Sequence, residues 1–194
     1  ALYATFLNRA FDQLLMDVAL HRAGVTVVLD RAGVTGADGA SHNGVWDIAM
    51  CSMIPGLRLA APRDEETLRA RLREALDVDD APTVIRYRKG SLPEPMPALR
   101  SVGGVDILFD EAVADSRARV LIVGTGACAP DAIEAARRLS ADGVSVTVAD
   151  PQWMIPVCPE LATLARDYDC VVSVEDGIVQ GGFGWSLRDA VAET

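Results

Sequence analysis

Short apolar segments alternate with amphipathic segments along the whole sequence, and this alternation constrains the fold more than any other feature. Runs of β-branched and apolar residues are typical of buried parallel strands at 25–29, 83–87, 120–123, 144–149 and 170–175. Apolar residues three and four positions apart predict helices over 5–21, 64–77, 130–141 and 159–168. The pattern predicts an α/β fold of two three-layer units with mainly parallel sheets.

A proline-rich segment separates two halves of similar organisation. Pro93, Pro95 and Pro97 remove backbone donors and favour an extended chain. We therefore predict a first domain over 1–90, a linker over 91–104 and a second domain over 105–194. Because the sequence begins at Ala1 and enters a helical pattern with no preceding strand, we expect an incomplete piece of a longer protein.

The net charge, the length of the apolar runs and the cysteine spacing exclude several classes of protein. Lys and Arg number 18 against 28 Asp and Glu, a net charge of −10, which disfavours electrostatic binding to nucleic acid or anionic membranes. No apolar run reaches the roughly 18 residues that span a bilayer. The four cysteines are widely spaced and lack a C-x-x-C pair, as expected of free thiols in a reducing cytoplasm.

A glycine-rich loop follows the first buried strand and carries the strongest local signal for chemistry. Ligands of α/β sheets bind beyond the carboxyl ends of strands, where glycines let the backbone approach them closely. Arg31 could bind a phosphate or carboxylate, Asp38 could accept from a hydroxyl, and His42 could transfer a proton. The alternative is an ordinary glycine-rich turn with local hydrogen bonds.

A second glycine pattern predicts a different chemistry. Gly124, Gly126 and Ala129 satisfy G-x-G-x-x-A between a strand and a helix, and Asp150 ends the next strand. Such a turn places a dinucleotide pyrophosphate at a helix N-terminus and a ribose hydroxyl on the acid. A nicotinamide-binding oxidoreductase is therefore one alternative, and a tight structural turn is the other.

Several long motifs together resemble the 1-deoxy-D-xylulose-5-phosphate synthases, a transketolase-like family that uses thiamine diphosphate. The resemblance rests first on 3–13, 30–33 and 36–44. It continues through 54–56, 86–87, 124–126, 174–176 and 181–184, and so covers nearly the whole chain. It implies a pyrimidine-binding domain followed by a transketolase C-terminal domain, in an enzyme that is a cytoplasmic homodimer.

The resemblance also implies roles for individual residues. Phe6 would stack on the aminopyrimidine of thiamine diphosphate, with Arg9 beside it. Asp38 and His42 would contact substrate hydroxyls and assist proton transfer while pyruvate is joined to glyceraldehyde 3-phosphate with release of CO2. The phosphate of that aldehyde would lie among a tyrosine and three cations: Tyr3, Arg31, Arg86 and Lys89.

The sequence departs from the family in two respects. Segment 86–90 reads Arg-Tyr-Arg-Lys-Gly where the family usually has proline and then arginine before the glycine, and lysine lacks the bidentate guanidinium fork. The family's diphosphate-binding domain, with its Gly-Asp-Gly magnesium motif, is also absent from these residues. The catalytic glutamate that lies a little upstream of the tyrosine matched by Tyr3 is absent too. We therefore expect this chain alone to be inactive and to act within a larger chain or with a partner subunit. A truncated, non-catalytic binding or assembly module is the alternative.

Overall fold

The first half of the chain builds a parallel four-stranded sheet. In a computed structural model that describes residues 1–193, its strand order is β1-β2-β4-β3. The strands are β1 (Leu2–Tyr3), β2 (Thr26–Asp30), β3 (Arg58–Ala60) and β4 (Thr83–Arg86). All three pairings are parallel, as the apolar runs predict.

Helices α1 (Leu7–Asp12), α2 (Asp47–Ser52) and α3 (Glu65–Leu76) accompany this sheet. A short 3-10 turn precedes α1, and a π-helical segment, Gln13–Ala19, continues it. The expectation that no strand precedes the first helix is wrong, because β1 pairs with β2. The Thr5 hydroxyl donates to the Ser41 carbonyl.

The second half forms a mixed five-stranded sheet of order β5-β6-β8-β7-β9. Its strands are β5 (Arg100–Val102), β6 (Val105–Glu111), β7 (Arg119–Gly124), β8 (Ser145–Pro151) and β9 (Cys170–Val174). The parallel β8-β7-β9 part was predicted, whereas the antiparallel β5-β6 hairpin was not. The hairpin signal was Gly103-Gly104, whose positive φ angles of 52° and 84° form the turn.

Each sheet lies between helical layers, as the alternation of side chains along its strands shows. In β4, Val84 joins the main core whereas Ile85 packs with Ala75 of α3 on the other side. In the second half, Ile122 packs with α4 (Ala129–Ala141), and Leu121 shares the main core with α5 (Pro159–Ala165) and α6 (Phe183–Glu193). The predicted three-layer, mainly parallel architecture is confirmed.

The two halves share one apolar core and a backbone contact. Leu59 of β3 accepts from the Met154 amide at 2.7 Å and donates to the Ile155 carbonyl at 2.9 Å. The segment 91–99 contains no helix or strand, and β5 begins inside the predicted linker. The domain boundaries at 90 and 105 stay predictions. Within residues 1–193, no helix is long and apolar enough to cross a membrane.

Candidate active site

The candidate site lies where β1 and β2 end side by side. Tyr3, the last residue of β1, is in register with Asp30, the last residue of β2. Arg31 follows immediately with a positive φ of 58°, an uncommon conformation for a residue with a side chain. This turn directs the chain from the strand into the glycine-rich loop.

The glycine-rich loop is closed by hydrogen bonds between its two ends. Gly33 and Gly44 exchange backbone hydrogen bonds of 2.8 and 2.9 Å. The Asn43 carboxamide oxygen accepts from the Thr35 amide at 3.0 Å. Gly33 has a φ of 77°, and a Cβ atom there would overlap the Asp176 carboxylate. The loop therefore needs glycine at this position for both its backbone angle and its packing.

Three aromatic rings meet at this loop. Tyr3, Phe6 and His42 contact one another edge to face, with centroid distances of 5.6 to 6.0 Å. Two arginines cover ring faces: Arg9 lies 5.0 Å from the Phe6 centroid and Arg31 lies 4.8 Å from the Tyr3 centroid. Phe6 remains 38% exposed, so its ring is accessible to a ligand. We name these three rings the ring cluster.

Asp38 is held by two donors. The Lys89 ammonium and the Tyr3 hydroxyl each donate to it at 2.7 Å, one to each carboxylate oxygen. The Lys89 hydrogen bond, followed by that of Tyr3, holds the pKa of Asp38 below its ordinary value. Removal from water, followed by the bond to Asp38, raises the pKa of Tyr3. The site therefore presents an ionised carboxylate beside a neutral phenol at neutral pH.

The His42 ring has a polar contact on one nitrogen. Its Nδ1 lies 2.9 Å from the Ser41 hydroxyl oxygen, and its ring edge meets Tyr3 and Phe6. Such contacts orient the His42 imidazole. The structure thus brings together seven of the eight predicted site residues, each in contact with another of the seven: Tyr3, Phe6, Arg9, Arg31, Asp38, His42 and Lys89.

Arg86 is the exception, because it lies apart from these seven residues. Arg86 is only 3% exposed, because it is the last residue of β4, and all four residues of this strand are buried. Its guanidinium donates to Asp47 at 2.7 Å and to Asp176 at 2.6 Å. Burial opposes the charge of Asp176, but Arg86 holds the pKa of this carboxyl below its ordinary value. Arg86 therefore joins the two halves of the chain rather than facing the cavity.

The glycine turn after β7 is structural, which argues against the nicotinamide alternative. Gly126 has a φ of 51°, and a Cβ there would overlap the backbone of Ala61 in the first half. Asp150 is buried and accepts from Arg63 at 2.9 Å, and Asp106 accepts from the same guanidinium nitrogen at 2.7 Å. The turn and the acid are thus engaged in contacts between the two halves.

A cavity of about 660 Å³ adjoins the ring cluster and has walls from both halves. Arg31 and Lys89 line it, and these two residues also contact Tyr3 and Asp38. Arg88 and Ala127 line the same cavity. Among residues 1–193, no group of three or more His, Cys, Asp or Glu side chains is arranged to hold a metal ion.

Comparison with known protein families matches almost the whole chain to two consecutive domains. The family described as "Transketolase, pyrimidine binding domain" matches residues 1–95, and "Transketolase, C-terminal domain" matches 111–194. The chain belongs to the transketolase-like family. The ring cluster lies in the pyrimidine-binding domain, and the cavity beside it has one wall in the transketolase C-terminal domain.

Individual relatives are similar over the full length of this transketolase-like chain. A 1-deoxy-D-xylulose-5-phosphate synthase of Corynebacterium glutamicum (strain R) is 53% identical over 193 residues, 98% of this chain and 30% of the relative. A 1-deoxy-D-xylulose-5-phosphate synthase 2 of Kitasatospora griseola is 56% identical over 195 residues, 100% of this chain and 31% of the relative. The chain thus spans about 30% of the length of these synthases.

A solved structure has the same fold. It is a split gene transketolase described as an inactive beta4 tetramer, with a TM-score of 0.82 and 29% sequence identity. The match covers 98% of this chain and 61% of that protein. Both domains of the present chain therefore occur together in a known transketolase-like architecture.

Proposed function

We propose that this chain forms the pyrimidine-side part of the active site of a thiamine-diphosphate-dependent transferase. The reaction joins pyruvate to glyceraldehyde 3-phosphate and yields 1-deoxy-D-xylulose 5-phosphate and CO2. One observation carries the proposal: Tyr3, Phe6, Asp38 and His42 meet at one edge of the first sheet. The identity of 53 and 56% to proteins named as this synthase supports the choice of reaction.

The residues present fit the aminopyrimidine end of thiamine diphosphate. Phe6 offers a ring that is 38% exposed, and stacking on an aromatic ring is a favourable contact for a planar heterocycle. Arg9 lies over the same ring at 5.0 Å and would lie beside the bound heterocycle. Magnesium and the diphosphate would be held by a diphosphate-binding domain, either in a longer chain or in a partner subunit.

When bound, thiamine diphosphate supplies the nucleophilic carbon and the electron sink that decarboxylation of pyruvate requires. The residues of this chain would transfer protons and orient the substrates. In the overall reaction the carboxyl carbon of pyruvate leaves as CO2, its carbonyl carbon forms a bond to the aldehyde carbon, and the aldehyde oxygen takes up a proton. His42 would deliver that proton, and Asp38 would accept a hydrogen bond from a substrate hydroxyl.

Cations beside the ring cluster would bind the phosphate of the aldehyde. Arg31 and Lys89 line the cavity and lie within contact of Tyr3 and Asp38, respectively. The Tyr3 hydroxyl and the Lys89 ammonium both donate to Asp38. Both donors would turn from Asp38 to phosphate oxygens when the aldehyde binds. Arg86 has no part in this binding, because two carboxylates hold it in the interior.

We expect a cytoplasmic homodimer in which this chain alone, without a diphosphate-binding domain, is inactive. The four cysteines are free, which agrees with a reducing compartment. Pyruvate and glyceraldehyde 3-phosphate are the expected ligands.

The test is carboligation by the full-length gene product or by this chain mixed with a diphosphate-binding subunit. We expect CO2 release from pyruvate and glyceraldehyde 3-phosphate only when thiamine diphosphate and magnesium are added. His42→Ala should lower kcat by about 100-fold or more, as expected of a lost acid-base group. His21→Ala, at the exposed second histidine, is the matched control. Activity without added thiamine diphosphate, or unchanged activity of His42→Ala, contradicts the proposal.

A second candidate is a non-catalytic binding or assembly module of the same family. The structural relative described as an inactive beta4 tetramer favours it, because that protein also has this pair of domains. A module of this kind would associate with a synthase chain and show no carboligation in any mixture. Size-exclusion chromatography with a synthase subunit, followed by the activity assay on the complex, separates the two candidates.

A further inference from the structure

Arg88 is a basic residue of segment 86–90, which reads Arg-Tyr-Arg-Lys-Gly. The residue lines the cavity between the two halves, together with Arg31 and Lys89. Arg88 therefore adds a positive charge to the wall of this cavity.

The other cations of the cavity already have strong partners. Lys89 donates to Asp38 at 2.7 Å, and Arg31 donates to Asp30 at 3.0 Å while covering the Tyr3 ring. Arg63 is buried between two carboxylates of the second half, at 2.7 and 2.9 Å. A ligand anion would have to compete with these ion pairs for each of the three cations.

Arg88 is held more loosely. Its Nε lies 3.5 Å from Asp176, a carboxylate that already accepts from Arg86 at 2.6 Å. Its other contact is to the Cys128 sulfur at 3.3 Å, and a thiol is a weak acceptor. The side chain is 40% exposed. A phosphate oxygen would therefore be a better acceptor than either present partner.

The carboxylates of the cavity do not oppose an anion as strongly as their number suggests. Asp30 is paired with Arg31, and Asp64 accepts from the backbone amides of Thr67 and Met96. Four cations line the cavity: Arg31, Arg63, Arg88 and Lys89. Arg31, Arg63 and Lys89 each have a carboxylate oxygen within 3.0 Å, whereas the nearest one to Arg88 lies 3.5 Å away, so Arg88 is the most available of the four to an anion.

We propose that Arg88 is a specificity-determining residue that binds the phosphate group of the ligand in this cavity, with Arg31 as its neighbour. The guanidinium fork donates two parallel hydrogen bonds to phosphate oxygens, which the Lys89 ammonium cannot do. Arg88 thus selects phosphorylated over unphosphorylated acceptors. The identity of the acceptor rests on the proposed function, whereas the anion site itself does not.

The direct test is calorimetric titration of the full-length protein with glycerol 3-phosphate, a phosphate ester without a reactive carbonyl. Arg88→Ala should raise its Kd about tenfold or more, and Arg88→Lys should lie between Ala and wild type. Arg138→Ala removes the same charge from an exposed position paired with Glu134 and should leave the Kd unchanged. An unchanged Kd in Arg88→Ala overturns the inference.

Kinetics with two acceptors separate a binding role from a structural one. Arg88→Ala should raise KM for glyceraldehyde 3-phosphate about tenfold or more and leave KM for unphosphorylated glyceraldehyde unchanged. A lowered Tm together with equal losses for both acceptors would assign Arg88 to packing against Asp176 and overturn the inference. If glycerol 3-phosphate binding depends on Arg88 but no carboligation occurs, the proposed reaction fails while the anion site stands.

Discussion

Lys89 Nζ lies 2.7 Å from Asp38 Oδ1 and thereby ties the segment after β4 to the glycine-rich loop. These residues are 51 positions apart, and each belongs to a motif of the pyrimidine-binding domain. The bond places a cation and a carboxylate at the edge of the ring cluster. A phosphate that displaced Asp38 from Lys89 would therefore couple substrate binding to the position of the carboxylate.

Lys89→Met should raise the pKa of Asp38, because the Lys89 hydrogen bond is the largest cause of its lowered value. A carboxyl whose pKa is lower in the folded than in the unfolded chain stabilises the fold above about pH 4, and this contribution is lost as pH falls through the folded pKa. The variant should lose part of that acid-side dependence. Carboxyl-carbon NMR titration measures the pKa, with Arg138→Met as the control for net charge. An unshifted Asp38 titration would refute this effect.

Arg86→Met should destabilise the protein by about 3–5 kcal/mol, because it leaves the buried Asp47 carboxylate without its cation and leaves Asp176 with only Arg88, at 3.5 Å. Those carboxylates, Asp47 and Asp176, come from different halves of the chain. Urea unfolding measures the change. Arg69→Met, which breaks only an exposed pair with Glu65, should change stability by about 0.5 kcal/mol or less. Equal effects of the two substitutions would mean that the interior position of Arg86 does not matter.

The difference between Arg86 and Lys89 shows how far the sequence could predict this site. Both are basic residues near a strand end, and the family resemblance placed both in one phosphate-binding group. The acceptors of Arg86 lie 39 and 90 positions away, so no local pattern could show that they bury it. The glycine-rich loop, in contrast, was predictable because its glycines, Asp38 and His42 follow one buried strand directly.

Most of the fold was predictable from the sequence, because parallel strands and the helices between them each have a local pattern of apolar residues. The parallel strands are continuous apolar runs, and α3 begins at a capping box in which Asp64 accepts from Thr67. The β5-β6 hairpin was missed because β5 is short and fully exposed and lies next to the proline-rich segment. Contacts between the halves, such as Arg63 with Asp150, depend on tertiary packing and have no signature in sequence spacing.

Asp150→Asn should remove a pH dependence of stability near neutral pH. Burial raises the pKa of Asp150 to about 7, against the attraction of Arg63. Because the unfolded side chain titrates near about 3.9, the folded state binds the proton more tightly, and this contribution is complete below about pH 4 and is lost as pH rises through 7. Wild-type stability should therefore decline over this window more than that of the amide variant.

Urea unfolding of both proteins between about pH 4 and pH 8 measures this difference. Asp142→Asn, at an exposed position at the end of α4, serves as the control and should keep the wild-type pH profile. Parallel profiles for wild type and Asp150→Asn would mean that Asp150 stays ionised beside Arg63 throughout.

Gly33→Ala should destabilise the protein more than Gly36→Ala, although both glycines belong to the same loop. Their φ angles are 77° and 64°, so each substitution pays a similar backbone cost of about 1–2 kcal/mol. No atom lies within 4 Å of a Cβ at Gly36, whereas a Cβ at Gly33 would overlap Asp176. Displacing Asp176 also removes an ion pair from Arg86, so we expect at least about 2 kcal/mol of additional destabilisation.

Urea unfolding of the two alanine variants isolates this packing term, because the backbone cost is common to both. The same comparison links the loop to the second half of the chain, since Asp176 belongs to the transketolase C-terminal domain. If Gly33→Ala also weakens binding of glycerol 3-phosphate while Gly36→Ala does not, the contact with Asp176 positions the loop relative to the cavity. Equal stabilities of the two variants would show that the loop can move away from Asp176 at little cost.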